Sequence, residues 1–292
     1  MTIFQGAATA MITPFKDDKV DFTSLERLVK HQLDGNIDAL VVNGTTGEPT
    51  TMTHDERTAV ASAVIEIVAK RVPVILGAGS NNTYTAREYA EEAQDLGADG
   101  LLVVTPYYNK CTQNGIVQHY KVLADAVDLP IIMYNVPSRT GVNIAPETAL
   151  KLAGYRGIVG IKEASGNVTQ FTEVARLTEG KLDLYSGDDG LVLPILALGG
   201  KGVISVASNI VPQYMHDMVQ TFLDGDIAKS RKMQLDICPL VKALFCEVNP
   251  IPVKCAAKLM GLCEDDYLRL PLTRMEKRDY LRDEMRAFGL NV

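Results

Sequence analysis

No apolar run in this 292-residue chain approaches the length of a membrane span. The opening MTIFQGAATAMITPF has neither a basic start nor a long apolar stretch, so a signal peptide is not expected. Positive charge is in the minority. Lys and Arg number 29 against 36 Asp and Glu, a net charge of −7 that argues against nucleic acid or an anionic membrane as the main partner. The five cysteines, Cys111, Cys238, Cys246, Cys255 and Cys263, contain no C-x-x-C pair, and an odd count fits a reduced compartment; the expected location is cytoplasmic. His31, His54, His119 and His216 show no H-x-x-x-H spacing and no cluster with cysteine, so no metal site is expected. The chain also lacks any Pro/Gly/Ser-rich linker and any low-complexity tract.

What remains is an ordinary folded composition, 47% hydrophobic and 22% charged. Short β-branched runs alternate with helical patterns. Strands are expected at 7–12, 38–42, 73–77, 100–104, 130–134, 157–162, 183–186 and 202–206. They are nearly continuous apolar runs, the pattern of parallel strands buried on both faces. Between them, Thr23–Glu26, Thr53–Glu56 and Thr85–Glu88 have capping-box spacing, and Leu25, Leu28, Val29 and Leu33 form one apolar helix face. LDGNIDALVV, LGADGLLVV and LGGKGVISV echo one another. Eight βα units of roughly thirty residues make a (β/α)8 TIM barrel, in the α/β class, the expected fold; a doubly wound sheet usually needs fewer strands. From about 210 the pattern is helical to the end. The division expected is a barrel over 1–225 and a packed C-terminal helical extension over 226–292, with Cys246, Cys255 and Cys263 as buried inert thiols.

In such a barrel the chemistry gathers where strands end. Those ends read NGTTGE, TPYYN, YNVPSRTG, KEASGN, SGDDG and SVASN, and they hold most of the unusual polar and glycine residues of the turns. Lys162 closes the apolar run GIVGIK. An ammonium there is either a wet strand end or an amine in a dry pocket, stripped of its proton and able to attack a ketone. Tyr134, on the preceding strand, is either a packed core tyrosine or a proton shuttle. Thr45 and Thr46 with their backbone N–H groups could hold a carboxylate, although G-T-T-G also reads as a helix-capping turn. Arg139 suits a second carboxylate or a surface salt bridge. Glu48 reads as a support of its turn, not a base, and Asp188 and Asp189 as solvated or capping acids. A rival reading makes Gly187, Gly190, Gly199 and Gly200 a phosphate cradle, against which the two adjacent carboxylates count.

The motifs ATAMITPF, GTTGE, VTPYYN, YNVPSRTG, GIKEASGN, SGDD, GVISV, NPIPVK and LRLPL together resemble the dihydrodipicolinate synthase family, among the pyruvate-dependent class I aldolases. The lysine turn and G-T-T-G-E are shared with N-acetylneuraminate lyases and sugar-acid aldolases, while the arginine of Y-N-V-P-S-R-T-G is specific to the synthases. The resemblance implies a lyase of lysine and diaminopimelate biosynthesis that needs no metal or organic cofactor. Lys162 would form a Schiff base with pyruvate, and Tyr134 would relay protons with Thr45 and Tyr108. Thr46 and the backbone of Ile204 would bind pyruvate. Arg139, with backbone from Gly187, would bind L-aspartate 4-semialdehyde. It further implies a homotetramer, a dimer of dimers, in which Tyr108 reaches into the neighbouring subunit's site. His54, Asn81 and Tyr107 match the L-lysine site of feedback-inhibited members. Arg57 and Thr85 stand where those members carry a histidine and a glutamate, so weak or absent lysine inhibition is expected. Rival functions are a sugar-acid aldolase of the same fold and a non-catalytic barrel that binds a small acid.

Overall fold

The computed structural model describes residues 2–292. Ten strands run in chain order: β1 Gly6–Ala10, β2 Phe15–Lys16, β3 Lys19–Val20, β4 Ala39–Val42, β5 Val74–Gly77, β6 Gly100–Val104, β7 Ile131–Asn135, β8 Ile158–Glu163, β9 Asp183–Ser186 and β10 Gly202–Ser205. Eight of them close as a barrel in the order β1-β10-β9-β8-β7-β6-β5-β4, with helices between successive strands, and β2 and β3 form a separate antiparallel pair. The eight barrel strands are those read from the sequence. The hairpin is new, too short to leave an apolar run. Among the described residues no helix is long and apolar enough to cross a membrane.

The chain falls into two compact units: the segment ending at Gly6 together with Pro73–Ile204, and Ala7–Val72 together with Ser205–Val292. In the first, strands β5 to β10 pair in parallel, and Val104, Tyr134 and Lys162 share one register with Tyr185. Large buried side chains tie a helix to its strand and the N-terminal segment to β9. The Tyr120 hydroxyl donates to the Val103 carbonyl at 2.8 Å, and the Tyr185 hydroxyl donates to the Phe4 carbonyl at 2.7 Å with the Phe4 ring stacked on its own. In the second unit, Thr9, Gln32 and Ser208 form a buried hydrogen-bonded cluster, while Asn209 accepts from the Ile12 N–H and donates to the Ala10 carbonyl.

Helix starts depart from the sequence reading in two of three places. The Thr53–Glu56 capping box is present. Helix Phe22–Asp34, however, is capped by Asp21, and Thr83–Asp95 by Asn82, so Thr23 and Thr85 lie inside their helices. Each has Asp or Asn standing ahead of it, a stronger cap than threonine. On Phe22–Asp34 the buried stripe takes Leu25, Leu28, Val29 and Gln32, and leaves Leu33 half-buried, because the amide of Gln32 finds its partners inside. Cys255 and Cys263 are buried as expected, but Cys246 is only half-buried.

The internal echo has a physical meaning. Asp38 donates its N–H to the Ala7 carbonyl and accepts the Ala7 N–H on its carboxylate at 2.7 Å. Asp99 does the same to Val74, with the carboxylate bond at 2.9 Å. Each carboxylate therefore satisfies an N–H at the start of a strand, the second residue of β1 and the first of β5. At the third copy of the motif stands Lys201, which keeps only the backbone half, donating to the Leu184 carbonyl. Replacing Asp99 with alanine should strand the buried Val74 N–H and destabilise the chain by about 1–3 kcal/mol. Lys201→Ala should cost less than about 0.5 kcal/mol. Urea unfolding of the two variants side by side checks the ranking.

Candidate active site

Lys162 sits at the next-to-last position of β8, in register with Tyr134 on β7 and Tyr185 on β9. Residues level across neighbouring strands point to the same face. Lys162 and Tyr134 thus project together, and Nζ lies 4.3 Å from the centroid of the Tyr134 ring. Lys162 is 5% exposed and Tyr134 also buried. The wet strand end is excluded.

Burial has an electrostatic result. Loss of water brings the Lys162 pKa down from 10.5 to about 8; the buried carboxylate of Asp189 works against that shift, and the Arg139 guanidinium adds to it. Among the described residues no carboxylate forms an ion pair with Nζ. At neutral pH about a tenth of the amine is therefore unprotonated and nucleophilic.

The turn after β9 closes over the lysine stem. The Gly187 N–H donates to the Glu163 carbonyl at 2.8 Å, and a Cβ on Gly187 would stand 2.9 Å from Lys162 Cε and 2.7 Å from Ala164 Cβ. Only glycine leaves room for the lysine to pass. In the next turn Asp188 caps Gly190 at 2.8 Å, as expected of an acid there, but Asp189 is 1% exposed and not solvated. The phosphate cradle also falls: Gly187 and Gly190 follow β9, whereas Gly199 and Gly200 precede β10, at the opposite end of the parallel strands, and Gly200 packs on Ile195.

Glu163 points to the other face of β8, a role the sequence reading missed. Its carboxylate accepts from Asn135 Nδ2 at 2.9 Å, Gln170 Nε2 at 3.2 Å and the Ser165 N–H at 2.7 Å. Asn143 links Asn135 to Gln170 behind it. These bonds pin the ends of β7 and β8, and with them Tyr134 and Lys162. Two acidic and basic residues in succession at the end of an apolar strand were the available signal: one must face each way.

The remaining candidates are placed as follows. In the first unit Ile204 is buried in β10, and Arg139 lies exposed in the short helix Pro137–Thr140. Tyr108, in the segment after β6, is not gathered toward Lys162; it is 89% exposed, with a left-handed φ of 70°. In the second unit Thr45 and Thr46 form a single 3-10 turn after β4, with Thr46 buried and Thr45 half-buried. Thr46 Oγ1 accepts from Asn249 Nδ2 at 2.9 Å, and Glu48 pairs with Lys254 Nζ at 2.6 Å. Asn249 and Lys254 are the two ends of NPIPVK, but their partners escaped the sequence reading because they lie some two hundred positions away.

A lysine amine poised near neutrality beside a tyrosine, with an arginine on the turn after β7, is equipped for carbinolamine and Schiff-base chemistry on a keto acid. Comparison with known proteins points the same way. The model of the dihydrodipicolinate synthetase family matches residues 3–287. The chain is 52% identical to the 4-hydroxy-tetrahydrodipicolinate synthase of Caldicellulosiruptor bescii, covering 100% of this chain and 99% of that one. It is 50% identical to the synthase of Alkaliphilus oremlandii over 97% and 98% of the two chains. The crystal structure of dihydrodipicolinate synthase from Thermotoga maritima superposes with a TM-score of 0.97 at 44% identity over 99% of both chains. The synthase of Cyanidioschyzon merolae, solved with lysine bound, gives 0.96 at 42% identity over the whole of both.

The desolvated amine makes a stability prediction. A lysine pKa of about 8 in the folded chain against 10.5 when exposed costs folding about 3 kcal/mol at pH 7. The cost is fully present below about pH 8. Between about 8 and 10.5 the unfolded chain holds more protons, so stability rises with pH until the cost is gone. Lys162→Met should therefore be more stable than the parent at pH 7, by up to about 3 kcal/mol, with the gain shrinking as the pH approaches 10.5. Denaturant unfolding at pH 7 and at pH 10 tests this; equal stability at pH 7 would mean that the amine is not desolvated.

Proposed function

From the premise that this chain belongs to the dihydrodipicolinate synthetase family, whose members act on pyruvate and aspartate semialdehyde, we propose how its own residues carry the reaction. The protein is an aldolase-type lyase of lysine and diaminopimelate biosynthesis, with 4-hydroxy-tetrahydrodipicolinate synthase activity. Lys162 adds to the ketone of pyruvate, and loss of water gives a Schiff base. The protonated imine is an electron sink, so a methyl proton leaves and an enamine forms. The enamine attacks the aldehyde of L-aspartate 4-semialdehyde; the substrate's amine then closes the ring and releases Lys162. The observation that carries this is the buried Lys162 amine lying over the Tyr134 ring.

Tyr134 moves protons to and from the carbinolamine, in relay with Thr45 and Tyr108. Thr46 and the Ile204 backbone hold the pyruvate carboxylate, while Arg139 and the Gly187 backbone receive the second substrate. The route uses no metal or organic cofactor. Tyr108 supports a further element of the proposal. An exposed aromatic held in a left-handed conformation is costly for one chain alone, and fits a residue that completes the site of a second copy. The assembly proposed is a homotetramer of two tight dimers, working in the cytoplasm.

Borohydride reduction with pyruvate present, followed by peptide mass spectrometry, should yield one pyruvate-derived adduct, on Lys162. A folded protein with no adduct would remove the synthase chemistry. A panel of aldehydes should then show turnover with L-aspartate 4-semialdehyde and not with sugar-acid aldehydes, for which Arg139 is the wrong partner.

The regulatory expectation also bears on this chain. Thr85 is neutral and lies inside helix Thr83–Asp95, and Arg57 adds a cation to helix His54–Val68. With a cation gained and an anion lost, L-lysine should inhibit weakly or not at all. Inhibition at micromolar lysine would overturn this.

A further inference from the structure

The turn after β4 is fastened by residues far along the chain. Glu48 ends the 3-10 turn Thr45–Gly47 with φ at 55°, a left-handed conformation that glycine would take more readily. Both oxygens of its carboxylate accept a hydrogen bond. Lys254 Nζ donates to Oε1 at 2.6 Å, and the Arg269 N–H donates to Oε2 at 3.3 Å. The Lys254 ammonium also lies 4.2 Å from the centroid of the Phe15 ring, and Arg269 covers the same ring at 4.5 Å. Burial pulls the Lys254 pKa down, and Glu48 works against that pull. Two residues earlier, Thr46 Oγ1 accepts the amide proton of Asn249 at 2.9 Å.

A pair this dry, with side chains 1% and 2% exposed, is a poor device for stability. Removing both charges from water cancels most of their attraction, and two apolar side chains would hold the place as well. What an ion pair adds is direction, since its partners are satisfied in one arrangement only. Asn249 adds a second constraint. Because Thr46 Oγ1 already accepts, its own O–H proton is free to be given to another acceptor. The acceptor that a turn of hydroxyls and backbone N–H groups fits is a carboxylate.

We propose that Glu48, Lys254 and Asn249 are positioning residues that hold the Thr45–Thr46 turn in the one conformation able to receive the carboxylate of the keto-acid substrate. The inference rests on the reading of Thr46 as a pyruvate ligand and names what sets its geometry. Glu48 does not touch the reacting atoms.

The test compares Glu48→Gln, Lys254→Met, the double variant E48Q/K254M, Asn249→Ala and Thr46→Val. Each is assayed for melting temperature, kcat and the KM of both substrates. Each single charge variant leaves a buried ion alone and should melt earlier. The neutral double variant should recover the melting temperature, yet its pyruvate KM should be raised on the order of tenfold, the loss of one hydrogen bond to a charged group. Its kcat at saturating pyruvate and its KM for the aldehyde should stay within about twofold, as for lost uniform binding. Asn249→Ala, which disturbs no charge, should raise the pyruvate KM alone and provides the answer if the double variant does not fold. Should Thr46→Val raise the pyruvate KM while the double variant and Asn249→Ala keep the parental value, the positioning role is overturned. Should Thr46→Val leave it unchanged, the reading of Thr46 as a ligand fails instead.

Discussion

The desolvation of one amine is the constraint around which much of this structure is arranged. Lys162 is buried, no carboxylate among the described residues forms an ion pair with it, and several neighbours help to keep it so. The Tyr134 ring covers Nζ, Gly187 gives the stem its passage, and Glu163 is turned to the opposite face of β8. Were the Glu163 carboxylate on the same face, it would hold the lysine protonated and inert. Alternation along a strand therefore separates a nucleophile from its neighbouring acid by one residue. Asp189 and Arg139 act on the amine with opposite signs, so its affinity for protons is balanced by their charges and not dictated by burial alone.

The chain contains a second buried lysine, and the contrast is instructive. Lys254 meets a carboxylate at 2.6 Å and an aromatic ring at 4.2 Å, so its charge is matched on the spot. Lys162 has the ring but, among the described residues, no carboxylate in ion-pair contact. The same residue type under similar burial thus gives a fastener in one place and a nucleophile in the other. The difference lies in whether an anion is placed within contact.

Much of this was legible in the sequence. All eight barrel strands could be read because a strand buried on both faces leaves an unbroken β-branched run, and Lys162 and Tyr134 could be placed because they stand where those runs stop; the room that Gly187 leaves for the lysine stem could not. The β2–β3 hairpin left no such run. Helix starts were less legible, since Thr23 and Thr85 carry the right spacing but Asp21 and Asn82 stand ahead of them and cap more strongly. Asp189 read as a solvated acid because adjacency to Asp188 says nothing of burial. Least legible were the pairings of Asn249 and Lys254. Their neighbours give no hint of a partner near residue 48, and such pairings follow from the path of the chain, not from local pattern.

The bond between Glu48 and Lys254 spans 206 positions of sequence. The G-T-T-G-E turn is therefore not a portable cassette, although it reads as one. Any recombination between homologous barrels with a single crossover between these residues inherits the turn from one parent and its fastener from the other. Such chimaeras are compatible only where both parents keep the same acid, base and amide at the two ends. Exchange of segments is consequently freest within the stretch from β5 to β10, with Glu48, Asn249 and Lys254 kept together from one source.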